Sequence, residues 1–216
     1  MDEKNLNSKS APVPPNRKRR ALVVATSAIG AMELAGAAVP FVASMLPTAR
    51  VRAASGPVSF DVSKLEPGQL ATVTWRKKPI WILRRTQKEL HTAEHSSLVL
   101  SDPKSQTGQQ PPGMDLHLAS GARAVQPEFL VLVGICSHLG CIPDYRPQAG
   151  SVDAHWPGGF YCPCHGSMYD LSGRVVAGSP APLNLPVPPY YFENQNVIRI
   201  GELRDGADQN WQPRIW

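Results

Sequence analysis

Two hexapeptides, CSHLGC (136–141) and CPCHGS (162–167), contain all four cysteines of the chain and two of its six histidines. Thiols and imidazoles are side chains that bind soft or borderline metal ions. Six such groups exceed the four that a tetrahedral zinc ion needs, and also the four that a pair of irons needs from the protein. Either kind of site therefore leaves two of the six side chains without a role as ligands.

Three assignments of these six side chains are open. A Cys₂His₂ zinc site would use two cysteines and both histidines, and would leave Cys141 and Cys164 as spare thiols. Two disulfides are possible outside the cytoplasm, but they give no reason for the placement of His138 and His165. In the third assignment each hexapeptide contributes one Cys/His pair to a metal, and the remaining two cysteines form a disulfide that joins the two segments.

The residues around the hexapeptides have the pattern of short β-strands. Strands are predicted at 70–75, 79–85, 128–135, 158–163 and 196–201, separated by turns rich in Gly and Pro. Strands of this length and spacing favour an antiparallel all-β domain, which we place at 58–201.

Two segments of this domain differ from that pattern. Residues 86–100 have the composition of a helix, in which His91 and His95 are four residues apart. No further ligand accompanies these two histidines, so we interpret them as part of a solvated face. Residues 101–127, rich in Pro, Gly and Gln, are predicted to form a long loop.

A long apolar stretch at 21–46 precedes the β domain and contains one charged side chain, Glu33. As a helix it would span about 39 Å, more than the roughly 30 Å hydrocarbon core of a bilayer. A transmembrane anchor is therefore favoured over a cleaved signal peptide or a buried core helix. Glu33 is costly in lipid unless it faces another helix or water.

The segments that flank the anchor and the β domain are polar. Residues 1–20 form a basic tail, and the positive charges next to the anchor predict a cytoplasmic N-terminus with the rest of the chain on the other side. Residues 47–57 are small and polar, as in a flexible tether. Residues 202–216 form a C-terminal tail to which no role is assigned.

The formal net charge of +5 comes mostly from the basic block at 17–20. The remaining sequence shows no basic stripe with interleaved aromatic residues. Nucleic acid is therefore excluded as a partner.

The two hexapeptides and the residues that follow them, CSHLGC…CPCHGSMYD, resemble the cluster-binding signature of Rieske iron–sulfur proteins, in the branch that has a disulfide. The resemblance implies a Rieske-type antiparallel β domain with a small cluster-binding subdomain at about 130–185. It also implies a [2Fe–2S] cluster with two Cys and two His ligands. The implied ligands are Cys136 and Cys162 on one iron and His138 and His165 on the other. The implied disulfide joins Cys141 and Cys164.

Further stretches resemble the Rieske subunits of bacterial ubiquinol–cytochrome c reductase, the cytochrome bc complex. They include DVSKLEPGQ (61–69), WRKKPIWILRRT (75–86) and PAPLNL (180–185). Two positions near the site depart from that pattern. Ser137 stands where Thr is more usual, and Gly178-Ser179-Pro180 is one residue longer than the usual Gly-Pro turn.

The resemblance also implies roles for the neighbours of the ligands. Ser167 and Tyr169 would donate hydrogen bonds to a bridging sulfide and to the Cys136 sulfur, which would raise the reduction potential. Leu139 would shield the cluster and pack against the quinol-oxidising subunit. The proline-rich segment 178–185 would cover the other side of the cluster.

The function implied is electron transfer within a quinol–cytochrome c oxidoreductase. His165, with His138 also near the exposed tip, would meet the quinol and take a proton while an electron enters the cluster and later leaves to a c-type cytochrome. The implied partners are ubiquinol, the membrane, and cytochrome b and c-type cytochrome subunits of a dimeric complex. The β domain is then periplasmic, and the anchor crosses the inner membrane once.

Two other functions remain open at this point. The chain could be the Rieske subunit of another periplasmic oxidoreductase of the arsenite oxidase kind. It could also be a non-catalytic module stapled by zinc or disulfides.

Overall fold

The fold is given by a computed structural model that describes residues 16–46, 48, 56–205 and 211–214. The chain divides into two compact units, Met1–Val51 and Arg52–Trp216. Residues 1–15 of the predicted basic tail and most of the predicted tether lie outside the described residues. So does most of the predicted C-terminal tail beyond Asp205, with the exception of 211–214.

The first unit contains one helix, α1 (Arg17–Met45), with Pro40 inside it. It is the one described helix long and apolar enough to cross a membrane. It begins four residues before the predicted anchor, so the basic block 17–20 is helical. The Asn16 side chain accepts a hydrogen bond from Lys18 N (3.1 Å) and caps this earlier start. Arg and Lys are also good helix formers.

The second unit contains nine strands in the described residues. They are β1 (Val58–Asp61), β2 (Leu70–Trp75), β3 (Lys78–Arg84), β4 (Phe129–Val133), β5 (Asp144–Arg146), β6 (Gly159–Cys162), β7 (Ser167–Tyr169), β8 (Tyr190–Asn194) and β9 (Val197–Ile200). They form three antiparallel sheets with the orders β1-β9-β8, β2-β3-β4 and β5-β6-β7. The predicted all-β class is confirmed.

Each of the five predicted strands corresponds to an observed strand, namely β2, β3, β4, β6 and β9, with bounds shifted by two residues or less. The sequence did not single out the other four. β5 and β7 have three residues each, too few for an alternating pattern to stand out from the flanking loops.

The predicted helix at 86–100 is shorter in the structure, where α2 spans Gln87–Glu94. A reciprocal capping box between Thr86 and Glu89 fixes its start. His91 and His95 are exposed and stack with ring centroids 4.3 Å apart, as expected for a solvated face. The segment 101–127 is irregular apart from a single 3₁₀ turn at Leu118–Ser120.

The sheet β5-β6-β7 rests on the sheet β2-β3-β4. All five residues of β4 are buried, and Trp81 of β3 stacks on Phe160 of β6 with ring centroids 5.2 Å apart. A Cβ atom at Gly134, the residue after β4, would lie 2.3 Å from the Trp81 ring, so only glycine allows this approach. The core therefore extends directly under the strands that carry the second hexapeptide.

Candidate metal centre

Two loops carry the hexapeptides. The first links β4 to β5 and contains Cys136, three residues after β4 ends. The second links β6 to β7: Cys162 is the last residue of β6 and pairs with Ser167, the first residue of β7. Two neighbouring antiparallel strands therefore hold the second hexapeptide at both of its ends.

Backbone hydrogen bonds close each loop on itself. In the first loop Cys136 N donates to Cys141 O (2.8 Å), and Gly140 N donates to Cys136 O (3.1 Å). In the second loop Gly166 N donates to Cys162 O (2.9 Å). These bonds fix the directions of the side chains between them, which is what a site with several ligands on short segments requires.

A disulfide between Cys141 and Cys164 joins the two loops across 23 residues of sequence, with the Cα atoms 6.7 Å apart. Cys136 and Cys162 are free and buried. This pairing corresponds to the third assignment, in which two cysteines link the loops and two remain as thiols.

The two free thiols lie together in the interior. Cys136 and Cys162 are each 1% exposed. Burial raises the pKa of the Cys162 thiol, hydrogen bonds from the Cys164 and His165 backbone N–H groups lower it, and the adjacent Cys136 raises it again, so that the net change is upward. Two neighbouring thiolates at this depth therefore need a cation between them.

The two histidines of the hexapeptides face each other. The His138 and His165 rings are 4.7 Å apart between centroids and nearly perpendicular, at 85°. Nδ1 of His138 is buried and has no hydrogen-bond partner among the described residues. A buried nitrogen without a partner is unfavourable, and coordination to a metal would satisfy it.

A third group of ligand-type atoms lies close by. The Sγ atoms of Cys141, Cys162 and Cys164 lie within 4.8 Å of one another. Two of the three are joined in the disulfide and cannot act as thiolates. This group therefore shows the disulfide packed against Cys162, and it does not define a separate metal site.

Tyr169 lies under the first loop and contacts the Cys136 sulfur. Its side chain is fully buried, and its hydroxyl donates to Cys136 Sγ (3.2 Å) and accepts from Ser137 N (3.3 Å). Burial and the bond to Cys136 raise the pKa of Tyr169, so the hydroxyl keeps its proton and remains a donor. Gly159 makes room for this residue, because a Cβ atom there would lie 2.0 Å from Tyr169 O at a φ of +150°.

The proline-rich segment 178–185 lies against both loops. The buried Ser167 hydroxyl accepts from Ala181 N (3.0 Å), which leaves its own hydrogen for a second partner. On the other loop the Ser137 hydroxyl donates to Leu183 O (2.6 Å) and accepts from Leu183 N (3.2 Å). The Ser137 bonds were not predicted, because their partner is 46 residues away in sequence.

The residues that carry this arrangement match a known protein family. The sequence profile described as the Rieske [2Fe-2S] domain matches residues 57–189, more than half of the chain. The chain belongs to the Rieske family. The cofactor of the domain is therefore a [2Fe–2S] cluster.

Full-length relatives agree with this assignment. The ubiquinol-cytochrome c reductase iron-sulfur subunit of Allochromatium vinosum is 48% identical over 192 residues, which cover 88% of this chain and 91% of the relative. The protein of the same name from Rhodospirillum rubrum is 42% identical, covering 89% and 96%. A solved structure described as a hyperthermophilic respiratory Complex III covers 81% of this chain at 26% identity with a TM-score of 0.45. The assignment to the Rieske family rests on the sequence profile and these sequence relatives, and not on the solved structure.

The residues of this Rieske domain fit the cluster. The group needs four protein ligands, and the two loops offer two buried cysteines, which as thiolates need a cation, and two imidazoles, one with an unpartnered Nδ1. Tyr169 supplies a protonated hydroxyl at one of those sulfurs. The residues that would hold the cluster are Cys136, His138, Cys162 and His165.

The tip of the Rieske domain is apolar and exposed. Leu139 is 63% exposed and Ile142 is 57% exposed, whereas most large apolar residues of the β domain are buried. Leu139 is therefore not packed in the core of its own domain, and its contact with another subunit stays a prediction.

Residues 212–214 of the C-terminal tail lie close to this tip. A groove of about 600 Å³ separates Leu139 and Ile135 from Gln212–Arg214. The buried Gln109 side chain holds the tail there, because it donates to Arg214 O (2.7 Å) and accepts from Arg214 N (3.3 Å). No signal in the sequence could pair residues 105 positions apart.

A buried polar network supports the proline-rich segment from the side of the core. Asn184 accepts from Val175 N (2.9 Å) and donates to Asp102 O (2.9 Å). The fully buried Arg123 donates to Ser172 O and Leu185 O. Burial lowers the pKa of Arg123 to about 10, which still leaves the guanidinium charged at neutral pH.

Proposed function

We propose that this chain is the electron-transfer subunit of a ubiquinol–cytochrome c reductase. Its cluster takes an electron from ubiquinol and passes it to a c-type cytochrome, and cytochrome b and the c-type cytochrome are its partner subunits in a dimeric complex. The support is the similarity over nearly full length to subunits with that name, together with a helix long and apolar enough for an anchor.

The observation that carries the proposal is the different exposure of the two ligand types. His165 is exposed and His138 is half-buried, whereas Cys136 and Cys162 are buried. A substrate that approaches from outside can therefore reach an imidazole before it reaches a thiolate. Quinol oxidation needs a proton acceptor at the point where the electron enters, and an imidazole can serve in that role.

The proposed ligand set gives each side chain one task. Cys136 and Cys162, which are buried, would hold one iron, and His138 and His165, which are more exposed, would hold the other. When bound, the cluster supplies a one-electron acceptor whose potential is raised by the neutral imidazole ligands. Nδ1 of His138 is buried and without a partner among the described residues, so it is the nitrogen proposed to bind iron, and Nε2 is then left to bond to a partner.

We further propose that the N-terminus is cytoplasmic and the Rieske domain periplasmic, with α1 crossing the inner membrane. The four basic residues of the first helical turn, at 17–20, support this orientation by the positive-inside rule. An oxidising compartment also suits the Cys141–Cys164 disulfide.

Anaerobic reduction of membranes that contain the full-length chain in its complex tests the function. A short-chain ubiquinol is expected to reduce the cluster and then the c-type cytochrome. His165→Ala should abolish both steps, and His155→Ala, which removes an exposed histidine of the same domain, should leave both unchanged. Reduction of the cluster by arsenite but not by ubiquinol would contradict the proposal and favour the arsenite oxidase alternative.

A further inference from the structure

The chain after β7 folds back beside this strand and then turns away from it. Tyr169 and Val175 form an antiparallel bridge, and Val176 N donates to Met168 O (2.9 Å). In a continued antiparallel ladder Met168 N would donate back to Val176 O. That carbonyl instead accepts from Ser179 N (3.1 Å), which closes a turn and leaves Met168 N without a backbone partner.

The side chain of Ser179 supplies the missing partner. Met168 N donates to Ser179 Oγ (3.1 Å), and the same hydroxyl donates to Met168 O (3.3 Å). One hydroxyl can both accept and donate, so it supplies the acceptor that Met168 N lacks and adds a second donor, beside Val176 N, at Met168 O. Strand β7 is therefore held on one edge by β6, and on the other edge by this hydroxyl together with the backbone bond from Val176 N.

Met168 stands between two residues that contact the site. On one side the Ser167 hydroxyl bonds to Ala181 N (3.0 Å), and on the other side the Tyr169 hydroxyl bonds to Cys136 Sγ (3.2 Å). Both side chains are fully buried. A displacement of the Met168 backbone would move both hydroxyls relative to the thiols.

In the proline-rich segment, residues that form hydrogen bonds alternate with prolines. Ser179, Ala181 and Leu183 each bond to one of the two cluster loops or to β7. Pro180 and Pro182 stand between them and have no N–H to satisfy. The segment thus acts as an additional strand whose bonds pass through serine hydroxyls, and Ser179 makes the first of these contacts.

We infer that Ser179 is a positioning residue for the cluster, which acts by fixing Met168 and through it the hydroxyls of Ser167 and Tyr169. It belongs to the turn that is one residue longer than the usual Gly-Pro turn, so the resemblance assigns it no role. The inference rests on the proposed cluster ligands and deepens the description of the same site.

The test compares Ser179→Ala and Ser179→Thr in the full-length protein purified in detergent with its cluster. Two quantities are measured: the reduction potential, and the hydrogen exchange of a peptide that covers β7, followed by mass spectrometry. Ser179→Ala should lower the potential and exchange several-fold faster in β7. Ser179→Thr keeps the hydroxyl and should restore both values toward those of the unmodified protein.

The control is Ser120→Ala, which removes a serine hydroxyl that bonds to a backbone carbonyl (2.9 Å) on a different loop. It should change neither quantity. An unchanged potential and unchanged exchange in Ser179→Ala would overturn the inference. If Ser179→Ala does not retain the cluster, Ser179→Thr decides: an unchanged potential supports the inference, and a lowered one overturns it.

Failure of the inference and failure of the proposed function can be told apart. An unmodified protein without a two-iron cluster would refute the ligand set and the function. An unmodified protein with the cluster, whose potential is insensitive to the Ser179 hydroxyl, would refute only the role of Ser179.

Discussion

At the scale of single residues, the hydroxyl of Tyr169 illustrates how the protein can adjust the cluster without ligating it. The hydroxyl is fully buried, remains protonated and donates to a sulfur that we propose as a ligand. A hydrogen bond of this kind stabilises the reduced cluster more than the oxidised one, because the reduced cluster is more negative. We therefore expect the bond to raise the reduction potential.

Tyr169→Phe should lower the potential and leave the four ligands intact. A loss of about 1 kcal/mol of preferential stabilisation corresponds to roughly 40 mV for a one-electron couple. The matched control is Tyr190→Phe, which removes another buried hydroxyl, one that accepts from Val125 N (2.8 Å) away from the site. A redox titration followed by electron spin resonance measures both variants. Equal potentials in Tyr169→Phe and the unmodified protein would contradict the tuning role.

Cys141→Ser should leave the ligand set complete but loosen the two loops. Loss of a bridge that closes 23 residues is expected to lower the free energy of unfolding by about 3 kcal/mol. The potential should also fall, because looser loops hold the bonds to the sulfurs less well. Chemical denaturation and redox titration measure the two effects. The double variant Cys141→Ser/Cys164→Ser checks that an unpaired thiol is not the cause, and wild-type stability in that variant would refute the role of the disulfide as a staple.

The candidate ligands could be predicted because thiols and imidazoles have few alternative roles at such spacing. The serine hydroxyls could not. Ser137 and Ser179 look like ordinary loop residues, and their bonds depend on how the proline-rich segment returns to the site. Nothing in the local sequence specifies that return.

At the scale of secondary-structure elements, the irregular segment 101–127 contributes to the site through Asp102. Its carboxylate accepts from Gln106 N (2.9 Å), Thr107 N (3.0 Å) and the Thr107 hydroxyl (2.7 Å). Its backbone carbonyl holds Asn184 of the proline-rich segment. The segment predicted as a long loop thus supports the proline-rich segment, which in turn lies against both loops of the site.

This support should weaken in acid. Burial raises the pKa of Asp102, but the bonds from Thr107 and Gln106 and the charge of Arg123 lower it by more, so the pKa lies below its ordinary value of 3.8. Because the folded-state pKa is depressed, the carboxylate stabilises the fold fully above that ordinary value, and the stabilisation is lost as the pH falls through the folded-state pKa.

Asp102→Asn should therefore lower the free energy of unfolding by about 1–3 kcal/mol at neutral pH, and by less in acid. Chemical denaturation at several pH values, followed by the visible absorbance of the cluster, measures the difference. Asp153→Asn is the control, because Asp153 is exposed and also accepts from a backbone N–H, that of His155. A constant difference between Asp102→Asn and the unmodified protein at all pH values would contradict this account.

The elements themselves were predictable to different degrees. The long apolar strands β3 and β4 stand out in the sequence, and the capping box at Thr86 marks the start of α2. The short strands β5 and β7 form because the antiparallel hairpin around β6 pairs them, and that pairing is a tertiary effect. Of the sheet that carries the second hexapeptide, only the central strand β6 was therefore predicted.

At the scale of the whole molecule, the order of anchor, tether and Rieske domain suggests movement between two electron-transfer partners. This stays a prediction, because most of 47–57 lies outside the described residues. Replacing several residues of 47–56 with prolines should stiffen the connection and slow turnover of the complex, while the electron spin resonance signal of the cluster stays the same. A Gly/Ser replacement of equal length should keep normal turnover. Unaffected turnover in the proline variant would refute the movement.

The central claim is that Cys136, Cys162, His138 and His165 hold a two-iron cluster. Electron spin resonance of the reduced full-length protein, prepared with and without ¹⁵N-labelled histidine, tests it most directly. We expect a two-iron signal with nitrogen couplings from two histidines that change on labelling. A silent protein that contains one zinc ion, or a two-iron signal without histidine couplings, would contradict it.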